Sequence, residues 1–188
     1  MEPSRDDYMR SVTIGERRRV DGPIYLADYD PAWPDLYQRE AARIRGLLGE
    51  RALLLEHCGS TSVPGLAAKP IIDIVLGVAD PADESAYVPA MEAGGYVLRI
   101  REPDWLEHRV FKGPDTDVNL HVFAAGSPEI VRMLAFRDRL RSNDDERARY
   151  EATKRELAAG EWTYVQDYAD AKGEVVEEII ARALAGEG

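Results

Sequence analysis

The chain has a single cysteine, Cys58, among 188 residues, so no disulfide can form within it and an apolar core must hold the fold. That usage fits a reducing cytosol, and a cytoplasmic location is the expectation. No apolar run approaches the roughly 20 residues that a membrane-spanning helix needs. The first twenty residues carry Arg17, Arg18 and Arg19 without an apolar stretch behind them, which is not the pattern of a secretion signal. No membrane association is expected. Basic residues are outnumbered, 24 Lys and Arg against 35 Asp and Glu, for a formal net charge of -11 at pH 7. Each phosphate contact needs a facing cation, so a broad nucleic-acid-binding surface is not expected. A small phosphorylated ligand needs only a local cluster of Lys or Arg and stays open. Also absent are an internal repeat and a Gly-x-x-x-x-Gly-Lys-Ser/Thr phosphate loop.

What is present suits a globular domain, with 45% hydrophobic and 31% charged residues. Residues 1–22 mix Arg, Asp, Glu and Ser without period and read as a flexible arm with no assigned structure. Residues 23–186 read as one domain. Ile24, Tyr25 and Leu26 suggest a short strand. Asp30 before Pro31 suggests a helix cap, leading to a helix over Trp33 to Leu48 whose apolar positions recur at three- and four-residue steps. Strands are expected at Ala52 to Cys58 and at Ile71 to Leu76. The second is apolar throughout except for Asp73, the profile of a strand covered on both faces. Cys58, at the end of an apolar strand, reads as a small core residue.

Asp80 and Pro81 suggest a helix ending near Gly94 and Gly95. Three strands follow, Tyr96 to Arg101, Glu107 to Lys112 and Asp117 to Phe123, the last two turned by Gly113-Pro114-Asp115. Ser127 with Pro128 caps a helix reaching Arg141, Asn143 with Glu146 starts a second, and a third runs from Val165 to the end. The expected class is α/β (α+β), a mixed sheet with flanking helices and a helical C-terminal third.

The segment Glu56-His57-Cys58-Gly59-Ser60-Thr61-Ser62-Val63-Pro64-Gly65-Leu66-Ala67-Ala68-Lys69-Pro70-Ile71-Ile72-Asp73-Ile74 closely resembles the signature of the GrpB family. The likeness extends through Tyr29-Asp30-Pro31-Ala32-Trp33-Pro34, His108-Arg109, Asn119-Leu120-His121-Val122-Phe123, Gly126-Ser127-Pro128-Glu129, Phe136-Arg137-Asp138, Lys154-Arg155-Glu156-Leu157-Ala158 and Tyr168-Ala169-Asp170-Ala171-Lys172. The resemblance implies a nucleotidyltransferase fold, in which a strand ends in Gly-Ser and an acidic strand about a dozen residues later presents carboxylates to metal-bound triphosphate. Gly59-Ser60 and Asp73 match that spacing.

The residue chemistry agrees with such a site. A glycine lets backbone approach phosphate oxygens, and hydroxyls at Ser60, Thr61 and Ser62 can donate to them. Lys69, Arg109 and Lys112 supply local positive charge, and Lys154 and Lys172, with Tyr168, reach in from the helical tail. Asp73, an unpaired charge amid apolar neighbours, must face a groove, a metal or strong donors. Asp117, Asn119 and His121 share one strand face. Asp73 and His121 are therefore the candidate catalytic pair, and Asp73, Asn119 and His121 the candidate ligands of a Mg²⁺ ion. The pattern of active nucleotidyltransferases is broken at Val75, where a second carboxylate would stand beside Asp73. The three histidines, His57, His108 and His121, fit no compact zinc spacing and read as structural or groove residues.

Two functions follow as expectations. One is binding of a nucleotide or other phosphorylated small molecule with Mg²⁺, with transfer of a nucleotidyl or phosphoryl-activated group to a small acceptor. The other, also implied by the resemblance, is a non-catalytic binding or chaperone-like module of the kind fused to dephospho-coenzyme A kinase. The sequence carries no signal for oligomeric state, acceptor or general base.

Overall fold

The computed structural model describes residues 4–17, 19 and 23–186. Its frame is a five-stranded mixed sheet in the order β1-β2-β5-β4-β3. Strand β1 (Leu54–Cys58) is antiparallel to β2 (Ile72–Val78), and β2 is parallel to β5 (Val118–Ala124). Strand β4 (His108–Lys112) is antiparallel to both β5 and β3 (Val97–Glu102).

Side-chain alternation gives the sheet two apolar faces. On one, Ile74 and Leu76 of β2 and Leu120 and Val122 of β5 pack against α2 (Trp33–Leu48) and α3 (Val88–Ala93) through Trp33, Ile44, Leu48 and Met91. Each such aliphatic side chain, removed fully from water, contributes about 1.5–3 kcal/mol. On the other face, Cys58, Val75 and Phe123 lie under Ile130 of α4 (Pro128–Ser142). Helix α4 covers only part of this face, and the end of β2 that carries Asp73 stays open. Helices α5 (Asp144–Ala158), α6 (Val165–Ala171) and α7 (Gly173–Ala185) complete the C-terminal third. Phe136, Leu140, Tyr150, Ile179 and Ile180 form a second cluster there, which also takes in Val63 and Leu66 from the loop after β1. That loop is clamped between sheet and helices. Among the described residues no helix is long and apolar enough to cross a membrane.

The expected mixed α/β class is observed, and most elements fall within a residue or two of the sequence reading. Two caps work as read: Ser127 Oγ accepts from the Glu129 amide at 3.3 Å and Asn143 Oδ1 from the Glu146 amide at 3.0 Å. The cap expected at Asp30 and Pro31 is not one, because α2 starts at Trp33 after Ala32 and the Asp30 carboxylate accepts from the Ala32 amide in the turn before it. Four elements differ. Ile24 to Leu26 forms no strand, and only a bridge pairs Ala27 with Ala68. Asp80 makes a turn, its carboxylate accepting from the Ala82 amide, and helix α3 starts only at Val88, beside Pro89. The last expected helix is two, broken at Lys172.

The fourth difference lies in the arm. Residues Arg5–Val12 form helix α1, capped by Ser4, with Met9 and Val12 buried against the sheet's β3 side. The Tyr8 hydroxyl donates to Glu102 at 2.7 Å, and Arg5 pairs with Asp170 of α6 at 2.8 Å. Over these residues the expectation of a structureless arm is corrected; residues 1–3, 18 and 20–22 lie outside the described residues. The signal was small, because Tyr8, Met9 and Val12 give one apolar edge over two turns amid charges. Met9→Ala should cost about 2 kcal/mol, as truncation of a buried methionine does, and lower the melting temperature by several degrees. Thermal unfolding beside the wild type checks this, and an unchanged midpoint would mean that α1 does not dock.

Candidate functional site

Strand β1 ends at Cys58, fully buried, where apolar surroundings raise its thiol well above the usual range. The sequence reading of Cys58 as a core residue holds. Gly59 then takes φ +67° and turns the chain into the short 3-10 segment Ser60–Ser62. The register sets Cys58 opposite Asp73 and Asp73 opposite Asn119. A Cβ at Gly59 would collide with the Asp73 carboxylate, with Asp73 Cβ only 2.9 Å away. Glycine is thus required twice, for its backbone conformation and for closeness.

Asp73 points into the groove, with 27% of its side chain exposed. Asn119 Nδ2 donates to its Oδ1 at 2.8 Å, and His121 Nε2 lies 3.9 Å from the same oxygen. Burial works against its charge, but His121, the Asn119 amide and Lys69 outweigh burial and hold its pKa below the usual carboxylate range. The cavity at this point, about 420 Å³, has Gly59, Ser60, Ile71 and Asp73 in its floor, and Lys69, Lys154 and Lys172 in its walls. Asn119, His121 and Gln166 join it to a neighbouring cavity of about 680 Å³ that runs over β4 toward Trp105 and α1.

The three lysines converge on two tyrosines. Lys69 Nζ and Lys172 Nζ stand 5.2 and 4.7 Å from the Tyr168 ring centre, within cation–π range. Lys154, 2% exposed, donates to Ser60 Oγ at 3.2 Å and to the Ala67 carbonyl, and sits 4.8 Å from the Tyr150 ring. Burial, with Lys172 nearby, lowers the Lys154 amine to about 7. Burial also lowers Lys172, against the pull of Asp73.

Other expected site residues are placed elsewhere or are already committed. Arg109 sits opposite Val122, on the face that packs against α2 and α3; it is buried and pairs with Glu84 at 2.6 Å. Alternation along β4 gives the groove side to His108, Val110 and Lys112 instead. Thr61 donates to the Ile71 carbonyl at 3.0 Å and meets His57 Nε2 at 3.0 Å, while Ser62 donates to the Gly59 carbonyl at 2.6 Å. Both hydroxyls brace the loop. Lys112 Nζ reaches Asp117 at 2.6 Å and Asn119 Oδ1 at 2.8 Å, so the Asn119 oxygen faces a lysine.

The sequence reading missed a relay of side chains. His108 Nδ1 lies 2.6 Å from Glu102 Oε2, and His108 Nε2 lies 3.1 Å from His121 Nδ1. The signal was the alternation of His108, Val110 and Lys112 across the hairpin from Asn119, His121 and Phe123. Tyr8, which ends the relay, had none.

Mg²⁺ was expected from Asp73, Asn119 and His121. Among the described residues no three His, Cys, Asp or Glu side chains gather into a metal-holding group. The Asn119 oxygen is taken by Lys112. Val75 shares the Asp73 face, as the geometry predicts, but it is fully buried beneath Ile130. One carboxylate and one imidazole beside three lysines do not fit a resident Mg²⁺, which asks for near-octahedral oxygen donors.

A profile described as GrpB protein matches residues 23–182. A UPF0157 protein of Halalkalibacterium halodurans is 60% identical over 183 residues, 97% of this chain and 94% of that protein. A dephospho-CoA kinase of Mycolicibacterium paratuberculosis is 30% identical over 168 residues, 76% of this chain but 41% of that protein. The crystal structure of conserved protein GrpB from Enterococcus faecalis is similar with a TM-score of 0.66 at 32% identity, covering 82% of this chain and 98% of that one.

Two substitutions test the frame of the site. Val75→Asp should bury an uncompensated charge and cost about 3–5 kcal/mol, lowering the melting temperature by on the order of 10 °C. A variant that melts like the wild type and binds Mg²⁺ would restore the second-carboxylate expectation. Gly59→Ala should cost about 1–3 kcal/mol for its backbone conformation alone and push the Asp73 carboxylate away from Asn119. Unfolding and the Asn119 side-chain amide resonances report both effects; if neither moves, the Gly59 contact is not tight.

Proposed function

The chain belongs to the GrpB family, and on that premise we propose that the groove at Asp73 binds a small phosphorylated molecule, with a nucleotide the candidate its loop chemistry favours. One observation carries this reading: Lys69, Lys154 and Lys172 line one cavity with Asp73, in a chain whose formal net charge is -11. Gathering like charges in a half-buried pocket is unfavourable unless an anion offsets them. Lysine ammonium groups donate strongly to phosphate oxygens, and Ser60, already held by Lys154, adds a hydroxyl beside them. The neutralisation that Mg²⁺ gives in other phosphate sites falls here to the lysines.

Transfer of a nucleotidyl or phosphoryl-activated group, on a nucleotidyltransferase-like sheet, is the enzymatic form of this reading. Asp73 and His121 would face the reacting groups. A non-catalytic or chaperone-like module is the second reading. It is favoured by relatives named dephospho-CoA kinase, in which this chain matches 41% and 47% of the length. The groove serves either reading, because fold alone does not decide between them.

The lowered Lys154 gives the binding test its sign. At about pH 8 much of its amine is neutral in the free protein. A bound phosphate favours the ammonium form, raises the pKa and draws a proton from solvent. Calorimetric titration with ATP, with dephospho-coenzyme A and with inorganic phosphate, each in two buffers of different ionisation enthalpy, should show proton uptake. Lys154→Met should abolish the uptake, and Mg²⁺ alone should give no heat. Absence of heat with all three anions would sink the phosphate reading, and buffer-independent heat would remove Lys154 from it.

A further inference from the structure

We propose that the cavity of about 680 Å³ over β4 is a second ligand subsite, which takes a small organic cation with a flat apolar body, an aromatic amine being the simplest case. The subsite adjoins the phosphate groove through Asn119, His121 and Gln166, yet its occupation requires no phosphate there. Its size falls within the roughly 300–1,000 Å³ of small-molecule sites.

Rings and aliphatic chains make its walls. The Trp105 ring stands nearly at right angles to those of His108 and Phe123, with centres 5.0 and 5.7 Å away. His108 and Phe123 are themselves stacked at 4.4 Å, so the three rings form a corner, which Val110 and Met9 of α1 extend. Tryptophan is highly buried on average, yet Trp105 is 41% exposed. The backbone that presents it is strained: the next two residues, Leu106 and Glu107, take left-handed φ of +54° and +52° without being glycine. The turn is nonetheless held firmly. The Trp105 amide donates to the Glu102 carbonyl at 3.2 Å, its carbonyl accepts from the His108 amide at 3.0 Å, and Glu107 pairs with the buried Arg109 at 3.2 Å. Strain that neighbours hold in this way concentrates where a side chain is presented to a ligand.

Charge decides what the corner holds. Glu102, Asp104 and Glu129 line the cavity; among the described residues Arg5 is the one Lys or Arg in its lining, and Asp170 pairs with it at 2.8 Å. Glu102 is engaged by Tyr8 and His108. Glu129 is less well matched. Its partner Arg132, at 3.1 Å, also serves both oxygens of Glu177 at 2.6 and 2.7 Å, and burial raises the Glu129 pKa in spite of the arginine. A cation in the cavity supplies the charge that Arg132 divides between two carboxylates. At the other end of the groove stand Lys69, Lys154 and Lys172. An anion is therefore drawn to the lysines and repelled from the aromatic corner, and a cation the reverse. Beside Trp105 a cation also gains from the indole face, which strengthens binding by about two- to fivefold at an exposed site.

Two probes that share a phenyl ring and differ in the sign of their charge test this, phenethylamine and 3-phenylpropionate. Each is titrated into the ¹⁵N-labelled full chain without phosphate and followed in proton–nitrogen correlation spectra. Phenethylamine should shift the Trp105 indole N–H and the backbone amides of His108 and Val110, and 3-phenylpropionate should leave them in place. Trp105→Ala, read from the His108 and Val110 amides, should weaken phenethylamine binding by about two- to fivefold. Glu129→Gln, which removes one charge and keeps the shape, should weaken it by roughly fivefold, and decides by itself if Trp105→Ala does not fold. Equal shifts with both probes would overturn the preference for a cation. No shift at these residues with phenethylamine, or an affinity unchanged in both folded variants, would overturn the subsite. Because no phosphate is present, failure here leaves the phosphate reading standing, and failed phosphate binding leaves these shifts unaltered.

Discussion

The site depends on one close approach, that of Gly59 to the Asp73 carboxylate across the β1–β2 pairing. Antiparallel register puts the last residue of β1 opposite Asp73, so the chain must leave the sheet immediately beside a charged group. Only a residue without a Cβ can pass there, and its left-handed φ sends the following loop under the helical third. From this turn follow Ser60 beside Lys154, Val63 and Leu66 in the second apolar cluster, and the floor of the cavity. A side chain at position 59 would disturb the carboxylate, the loop and the helix packing together.

Helix α4 then divides one face of the sheet between packing and chemistry. Asp73 and Val75 project from the same side of β2, yet one is ionised at a groove and the other lies in a sealed apolar cluster. The boundary is where Ile130 ends its cover. Strand geometry fixes which residues share a face, and only a partner element decides which of them meets water. For this reason a two-residue spacing that would make a carboxylate pair in an open sheet cannot do so here.

Sequence carried the parts whose signals are local. The Gly59-Ser60 turn, the lone carboxylate on an apolar strand, helix α2 and the caps of α4 and α5 were legible because each rests on a few adjacent residues. Less legible was anything set by a distant partner. Thr61 and Ser62 look like phosphate donors until Ile71 and Gly59 take their hydrogens. Arg109 and Lys112 look equivalent until β4 is paired and they fall on opposite faces. Helix α1 has too few apolar positions to announce itself, and its purpose is visible only where Tyr8 meets Glu102.

The same partners explain how an acidic chain can hold a cationic cavity. Many of its carboxylates pair with arginines, as at Arg132 with Glu177, Arg149 with Glu178 and Arg101 with Glu84. These are mostly exposed pairs of modest individual worth. Arginine, always charged and bidentate, suits such pairing. The groove instead uses lysines, whose charge burial can weaken, and burial lowers the Lys154 amine to about 7. Asp73, Asn119 and Lys112 then form a hydrogen-bonded line along the groove floor, with the histidine relay meeting it at His121. The three lysines and the His121 imidazole thus line one cavity with Asp73, the carboxylate on β2 and the imidazole on the neighbouring β5.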